Sequence, residues 1–166
     1  MATRTPSFYR PGTYRPEDSA TYLMRRILTA VAQEVEHELE PYGLTSAQWV
    51  PMFKLYTGMA NTAAELARET QIDAGAMTRM LDRLEDKGLL RRVRSEQDRR
   101  VVHLELTPAG RETAQEIPRV LCEVQNAHLR GFSRDELDTL KSLLRRVLDN
   151  AIALQAERRE PTADPE

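Results

Sequence analysis

Residues 73–110 read "DAGAMTRMLDRLEDKGLLRRVRSEQDRRVVHLELTPAG", and the changes of period inside that stretch decide the fold. Asp73 is placed to cap a helix whose inner side carries Met77, Met80, Leu81 and Leu84, and Gly88 stops it. The period then drops to two. "LLRRVR" and "RVVHLEL" are β-branched or alternating, with Val102, Leu104 and Leu106 on one face and Val101, His103 and Glu105 on the other. With "SEQD" between them, they predict a β-hairpin. Thr107 as N-cap and Pro108 at the first helical position then restart helix.

Upstream, two more helices are marked by their starts. Thr62 and Glu65 form the capping-box pattern of a short helix ending near Glu69. Thr45 and Gln48 repeat it before Trp49, Met52, Phe53 and Tyr56, with Pro51 predicting a kink or a tight first turn. Leu23, Ile27, Val31, Val35 and Leu39 recur every four residues, so a long helix is expected from about Glu17 until Pro41 and Gly43. Downstream, Val120, Leu121, Val124 and Leu129 mark a helix kinked at Pro118. Ser133 and Glu136 cap a last helix carrying Leu137, Leu140, Leu144, Val147 and Leu148. The termini, 1–16 with three prolines and 157–166 with two, are expected to be a flexible arm and a disordered tail.

Charge is uneven. The chain has a formal net charge of −2, yet "RRVRSEQDRRVV" (residues 91–102) holds five arginines. From Gly75 to His103 eight Lys/Arg face five Asp/Glu, a surplus of +3 that leaves −5 for the rest. A basic patch on an acidic body is the footprint of a polyanion-binding surface.

Other functions lack their residues. His37, His103 and His128 are scattered, and neither a phosphate-binding glycine loop nor an H-E-x-x-H motif occurs, so no catalytic residue, cofactor or metal is expected. His37 within "EVEHELE" reads as part of a solvated acidic face. Cys122 stands alone among Val120, Leu121 and Val124, and a buried, inert thiol is expected. No apolar run of 18 residues exists, and the polar start lacks an apolar signal core, so a cytoplasmic location is expected by elimination.

Helix, turn, helix, then hairpin is the core of a winged helix, in which the second helix enters the major groove and the hairpin wing flanks it. Ala74, Gly75, Ala76, Thr78 and Arg79 occupy the first turn and a half of that helix, where base edges are met, and Arg83 lies a turn further on toward a phosphate. Arg91, Arg92 and Arg94 in the first strand are expected to meet phosphates. Arg99 and Arg100 at the tip suit a minor groove, with Asp98 pairing one guanidinium into a fixed pose.

The 73–110 segment, together with "GLTSAQW" (43–49) and "AAELARE" (63–69), resembles the MarR family of bacterial transcription regulators, and the likeness spans roughly Thr21 to Ala153. It implies a mainly α fold with a small β-wing: a winged-helix lobe at about 45–107, and dimerisation helices at about 17–42 and 108–156 within a single 17–156 domain. It also implies a homodimer on a pseudo-palindromic double-stranded operator, and most often a repressor released by a small aromatic effector. Trp49, Met52, Phe53 and Tyr56, with Arg26 for a carboxylate, are the candidate effector contacts, although aromatic residues at helical spacing usually form core. The family's peroxide sensors carry a reactive cysteine in or near the first helix, and none occurs there in this chain. The rival expectation is a winged-helix adaptor that works through protein contacts.

Overall fold

The computed structural model describes residues 6–98 and 100–158. Arg99, residues 1–5 of the expected arm and residues 159–166 of the expected tail lie outside them. The chain divides into two compact units, residues 1–125 and 126–166.

The first unit holds α1 (Ala20–Leu39), α2 (Trp49–Tyr56), α3 (Ala63–Thr70), α4 (Ala74–Asp86), β1 (Leu90–Arg94), β2 (Val102–Leu106) and nearly all of α5 (Pro108–His128). β1 and β2 pair antiparallel, with Leu90 opposite Leu106 and Arg94 opposite Val102. One core joins these elements: Leu39 from α1, Met52 from α2, Leu66 from α3, Met77, Leu81 and Leu84 from α4, Leu90 and Leu104 from the hairpin, and Ile117 and Val120 from α5. The four-residue apolar period of α1 is only partly used here. Val35 and Leu39 are buried, whereas Leu23, Ile27 and Leu28 are exposed.

The starts of the helices follow their side-chain chemistry. Thr62 accepts from the Glu65 amide and Glu65 accepts from the Thr62 amide, the reciprocal pair that satisfies two otherwise orphan donors. α2 departs from the same pattern. Gln48 Oε1 accepts from the Thr45 amide, but the chain makes a turn over residues 46–48 before helix begins at Trp49. Pro51 therefore falls in the first turn, where its missing N–H breaks no helical bond. α1 begins at Ala20 behind Ser19, whose Oγ accepts from the Tyr22 amide, later than the expected Glu17.

The arm has structure from Pro6 onward. Short 3-10 turns form at Pro11–Thr13 and Pro16–Asp18, the Tyr9 and Tyr14 rings meet edge to face at 5.8 Å, and Tyr9 Oη accepts from the Ala20 amide at 3.1 Å. Phe8 is 85% exposed.

The second unit contains α6 (Arg134–Glu157), opened by a reciprocal capping box between Ser133 and Glu136. None of its residues is buried, and Leu143, Leu144, Val147, Leu148, Ile152 and Leu154 are exposed.

One expectation is corrected. Cys122 is exposed, because Val120 and Val124 take the inward face of α5 and Cys122 lies off it.

Candidate nucleic-acid interface

α3 and α4 are joined by a tight turn in which Gln71 adopts the left-handed region at φ 55°. Asp73 then closes the start of α4, its Oδ1 accepting from the Gly75 and Ala76 amides at 3.0 and 3.1 Å. With Met77, Leu81 and Leu84 locked into the core, the opposite face of α4 is fixed outward, and Ala74, Gly75, Thr78, Arg79 and Arg83 are exposed. Ala76 is half-buried. Thr78 Oγ1 donates to the Ala74 carbonyl at 2.9 Å, which leaves its lone pairs free to accept. Gly75 has a local reason to be small: a Cβ there would stand 3.1 Å from Asp73 Oδ1 and 3.5 Å from Arg79 Nη1.

Beside this face runs an open groove lined by Thr45, Gln48, Arg79, Met80, Arg83 and Lys87. Lys87 Nζ donates to the Gly43 carbonyl at 2.7 Å and to Gln48 Oε1 at 2.9 Å, tying the end of α4 to the chain before α2. Neither Lys87 nor Gln48 stands out in the sequence as a contact, because their partners are about 40 residues apart along the chain.

The wing arginines divide into two groups. Arg91 lies opposite Glu105 in the ladder and donates to its Oε2 from Nε at 3.0 Å and Nη2 at 2.6 Å. Arg92 turns toward α4, where Nη2 meets Asp82 Oδ1 at 2.7 Å and Nη1 meets Glu85 Oε2. Its partial burial opposes the charged form, but the hydrogen bonds it donates to Asp82 and Glu85 outweigh that and hold its pKa above the ordinary arginine value. Arg94 and Arg100 are exposed and make no ion pair among the described residues.

Asp98 acts through the backbone. Its Oδ1 accepts from the Arg100 amide at 2.9 Å and its carbonyl accepts from the Val101 amide, while Ser95 Oγ accepts from the amides of Gln97 and Asp98. Among the described residues Asp98 thus shapes the turn and makes no ion pair with Arg100, and Arg99, the other guanidinium expected to pair with it, falls outside them. Asp and Ser do this readily because their short side chains reach backbone amides two or three residues on.

The base of the wing is pinned by a residue whose sequence signature is only that of a helix start. Thr107 Oγ1 donates to the Gly88 carbonyl at 2.6 Å and accepts from the Gly110 amide at 3.0 Å, and the Thr107 amide donates to the Leu89 carbonyl at 3.1 Å. At the other edge, the Leu104 amide donates to the Asn61 carbonyl at 2.7 Å.

The candidate effector contacts differ in their surroundings. Met52 is 0% exposed and serves as core, so it has no surface to give a ligand. Trp49 and Phe53 are half-buried and pack against that core, whereas Tyr56 and Arg26 are exposed. Arg26 Nη1 reaches Tyr22 Oη at 3.5 Å. Among the described residues, no three His, Cys, Asp or Glu side chains are grouped as a metal ion would need, and no helix is long and apolar enough to cross a membrane.

Residues 44–102 match the MarR family model. Solved structures agree in fold over most of the chain. The reduced form of MarR from E. coli is 27% identical with a TM-score of 0.69, covering 78% of this chain and 96% of that one. The transcriptional regulator PA3341 is 29% identical with a TM-score of 0.70, covering 81% and 99%. A cysteine-to-serine mutant of E. coli MarR complexed with operator DNA is 28% identical with a TM-score of 0.68, covering 77% and 92%. The matched segment runs from Leu44 before α2 to Val102 at the start of β2, so the MarR family pattern in the sequence and the likeness in fold to MarR structures fall on the same lobe.

Proposed function

We propose that this protein is a DNA-binding transcription regulator that reads a duplex with the outward face of α4 and the wing. The observation that carries this reading is the pairing of an exposed, small-residue helix start (Ala74, Gly75, Thr78, Arg79) with a hairpin whose Arg94 and Arg100 are exposed without carboxylate partners among the described residues. Small residues let a helix sit deep in a major groove, and unpaired guanidiniums release counterions from phosphates. Its likeness to a relative solved on operator DNA supports the same reading. Ala76 and Arg83 belong to the proposed surface, and Arg99 is assigned to it by sequence alone.

The working unit is a homodimer. The exposed apolar residues of α1 (Leu23, Ile27, Leu28) and, separately, those of α6 are more apolar surface than a monomer keeps in water. A twofold pair of winged lobes would occupy a pseudo-palindrome of about 16–20 base pairs, with half-sites one helical turn apart.

Repression by covering a promoter, relieved by a small aromatic effector, completes the proposal. Tyr56 and Arg26 are the candidate effector contacts with exposed surface, whereas Trp49 and Phe53 are half-buried against the core. An effector preferring the non-binding state by about 1–3 kcal/mol would change occupancy appreciably.

The test is a footprint on the intergenic DNA beside the protein's own gene. Two protected half-sites one turn apart support a dimeric regulator. A soluble, dimeric protein that enriches no duplex from a random pool would refute it.

A further inference from the structure

Arg92 stands apart from the other wing arginines in where its charge goes. Its side chain is 30% exposed and bridges two carboxylates spaced one turn apart on α4, Asp82 and Glu85. Glu85 also accepts from the Arg92 backbone amide at 3.1 Å, so one carboxylate holds both the strand and the side chain. Two negative charges against one positive leave the local balance at −1, an unfavourable place for a phosphate.

The position of this clamp in the fold matters more than its energy. Only Lys87, Gly88 and Leu89 separate α4 from β1, and Thr107 already pins that link through the Gly88 and Leu89 carbonyls. The Thr107 contacts hold the base of the wing; Arg92, two residues into β1, holds its side. Attachment at two heights restricts the swing of a two-stranded hairpin about its base. Arg91 and Glu105 then tie the two strands to each other, so the tip follows the strand that Arg92 anchors.

Resting on the DNA-binding reading above, we propose that Arg92 is a positioning residue and not a phosphate contact: by bridging Asp82 and Glu85 it fixes the angle of the wing to α4. Arg94 and Arg100 then meet the duplex in register with Thr78 and Arg79. This replaces the phosphate role that the sequence suggested for Arg92. A planar fork suits the task, since it can meet two carboxylates in fixed directions where an ammonium offers only a point charge.

The experiment uses the full chain and a duplex enriched by that protein from a random pool, with affinity measured across a salt series for wild type, R92K, R92Q and R94Q. R92K keeps the charge and should keep the fold, which its thermal melt checks. If Arg92 positions the wing, R92K loses about tenfold in affinity, the scale of one misplaced base contact. Its slope of log K against log salt stays at the wild-type value, while R94Q flattens that slope by about 0.9 for each phosphate it no longer neutralises. In the R92Q background, adding Arg100→Ala should cost much less than it costs alone, an effect that a purely stabilising ion pair would not produce in folded protein. The proposal is overturned if R92K binds like wild type while R92Q flattens the slope as R94Q does. It is also overturned if the cost of Arg100→Ala is the same in both backgrounds. Failure of the wild type to enrich any duplex would instead remove the DNA-binding reading itself.

Discussion

A Cβ at Gly110 would lie 1.8 Å from the carbonyl oxygen of Leu89, far inside van der Waals contact with backbone that cannot rotate away. Gly110 is buried in the first turn of α5, where alanine would ordinarily favour helix. Here the close approach wins, because the Leu89 carbonyl is also the acceptor for the Thr107 amide at the root of the wing. Gly110→Ala should destabilise the fold by about 2–3 kcal/mol, as overpacking of a tight core does. A urea midpoint shifted down at unchanged m-value would check this; an unchanged midpoint would mean that the α5 start can slide away from Leu89.

Gln71 is the non-glycine residue with positive φ among the described residues, at 55°, at the end of α3. Glycine adopts that conformation without the Cβ penalty, although it adds freedom to the unfolded chain. Gln71→Gly is expected to raise stability by about 0.5–1 kcal/mol, read as a higher thermal midpoint. A lower midpoint would show that the Gln71 side chain contributes more than its backbone costs.

Acid should loosen both capping boxes. Glu65 is held below the usual carboxylate range chiefly by accepting from the Asn61 amide at 2.8 Å, against some desolvation and with help from Thr62. Glu136 is lowered in the same way by the Ser133 amide. Both folded-state values lie below the unfolded value near 4.5. Their stabilisation is therefore fully present above about pH 5 and is lost as pH falls through the lowered folded values. Urea midpoints of wild type and Glu65→Gln, compared from pH 7 to pH 3, should converge toward the acid end. A gap that stays constant across the range would rule out the carboxylate as its source. Thr62→Ala, which removes the other half of the box, should cost about 1 kcal/mol at neutral pH.

Leu148 on α6 is exposed in the single chain, so Leu148→Glu should leave its helix intact. In the proposed dimer the same carboxylate would be taken out of water, at a cost of several kcal/mol. Sedimentation at micromolar concentration should then find monomer with undiminished helical circular dichroism. A dimer of wild-type strength would mean that α6 is not part of the interface.

Much of this was legible because it was local. The capping pairs at Thr62–Glu65 and Ser133–Glu136, the period change after Gly88 and the apolar face of α4 are all set within a few residues, and each appears where its pattern puts it. What escaped was set by partners distant in sequence or by competition among neighbours. Arg91, Arg92 and Arg94 look alike in a string, but strand alternation and the carboxylates of Asp82, Glu85 and Glu105 give them different surroundings. Gly110 reads as an ordinary residue of "LTPAG" until Leu89 is brought against it. Cys122 sits between apolar neighbours in sequence, yet a helix turns it off their face.

The most direct measurement is the affinity of the full chain for a pool-enriched duplex across a salt series, with Arg79→Ala/Arg100→Ala beside the wild type. If α4 and the wing read DNA, wild-type affinity falls steeply as salt rises, and the double variant binds far more weakly with a flatter slope. Wild-type binding that is indifferent to salt, or a folded double variant that binds as tightly as wild type, would contradict DNA reading by this face and favour a wing that works through protein contacts.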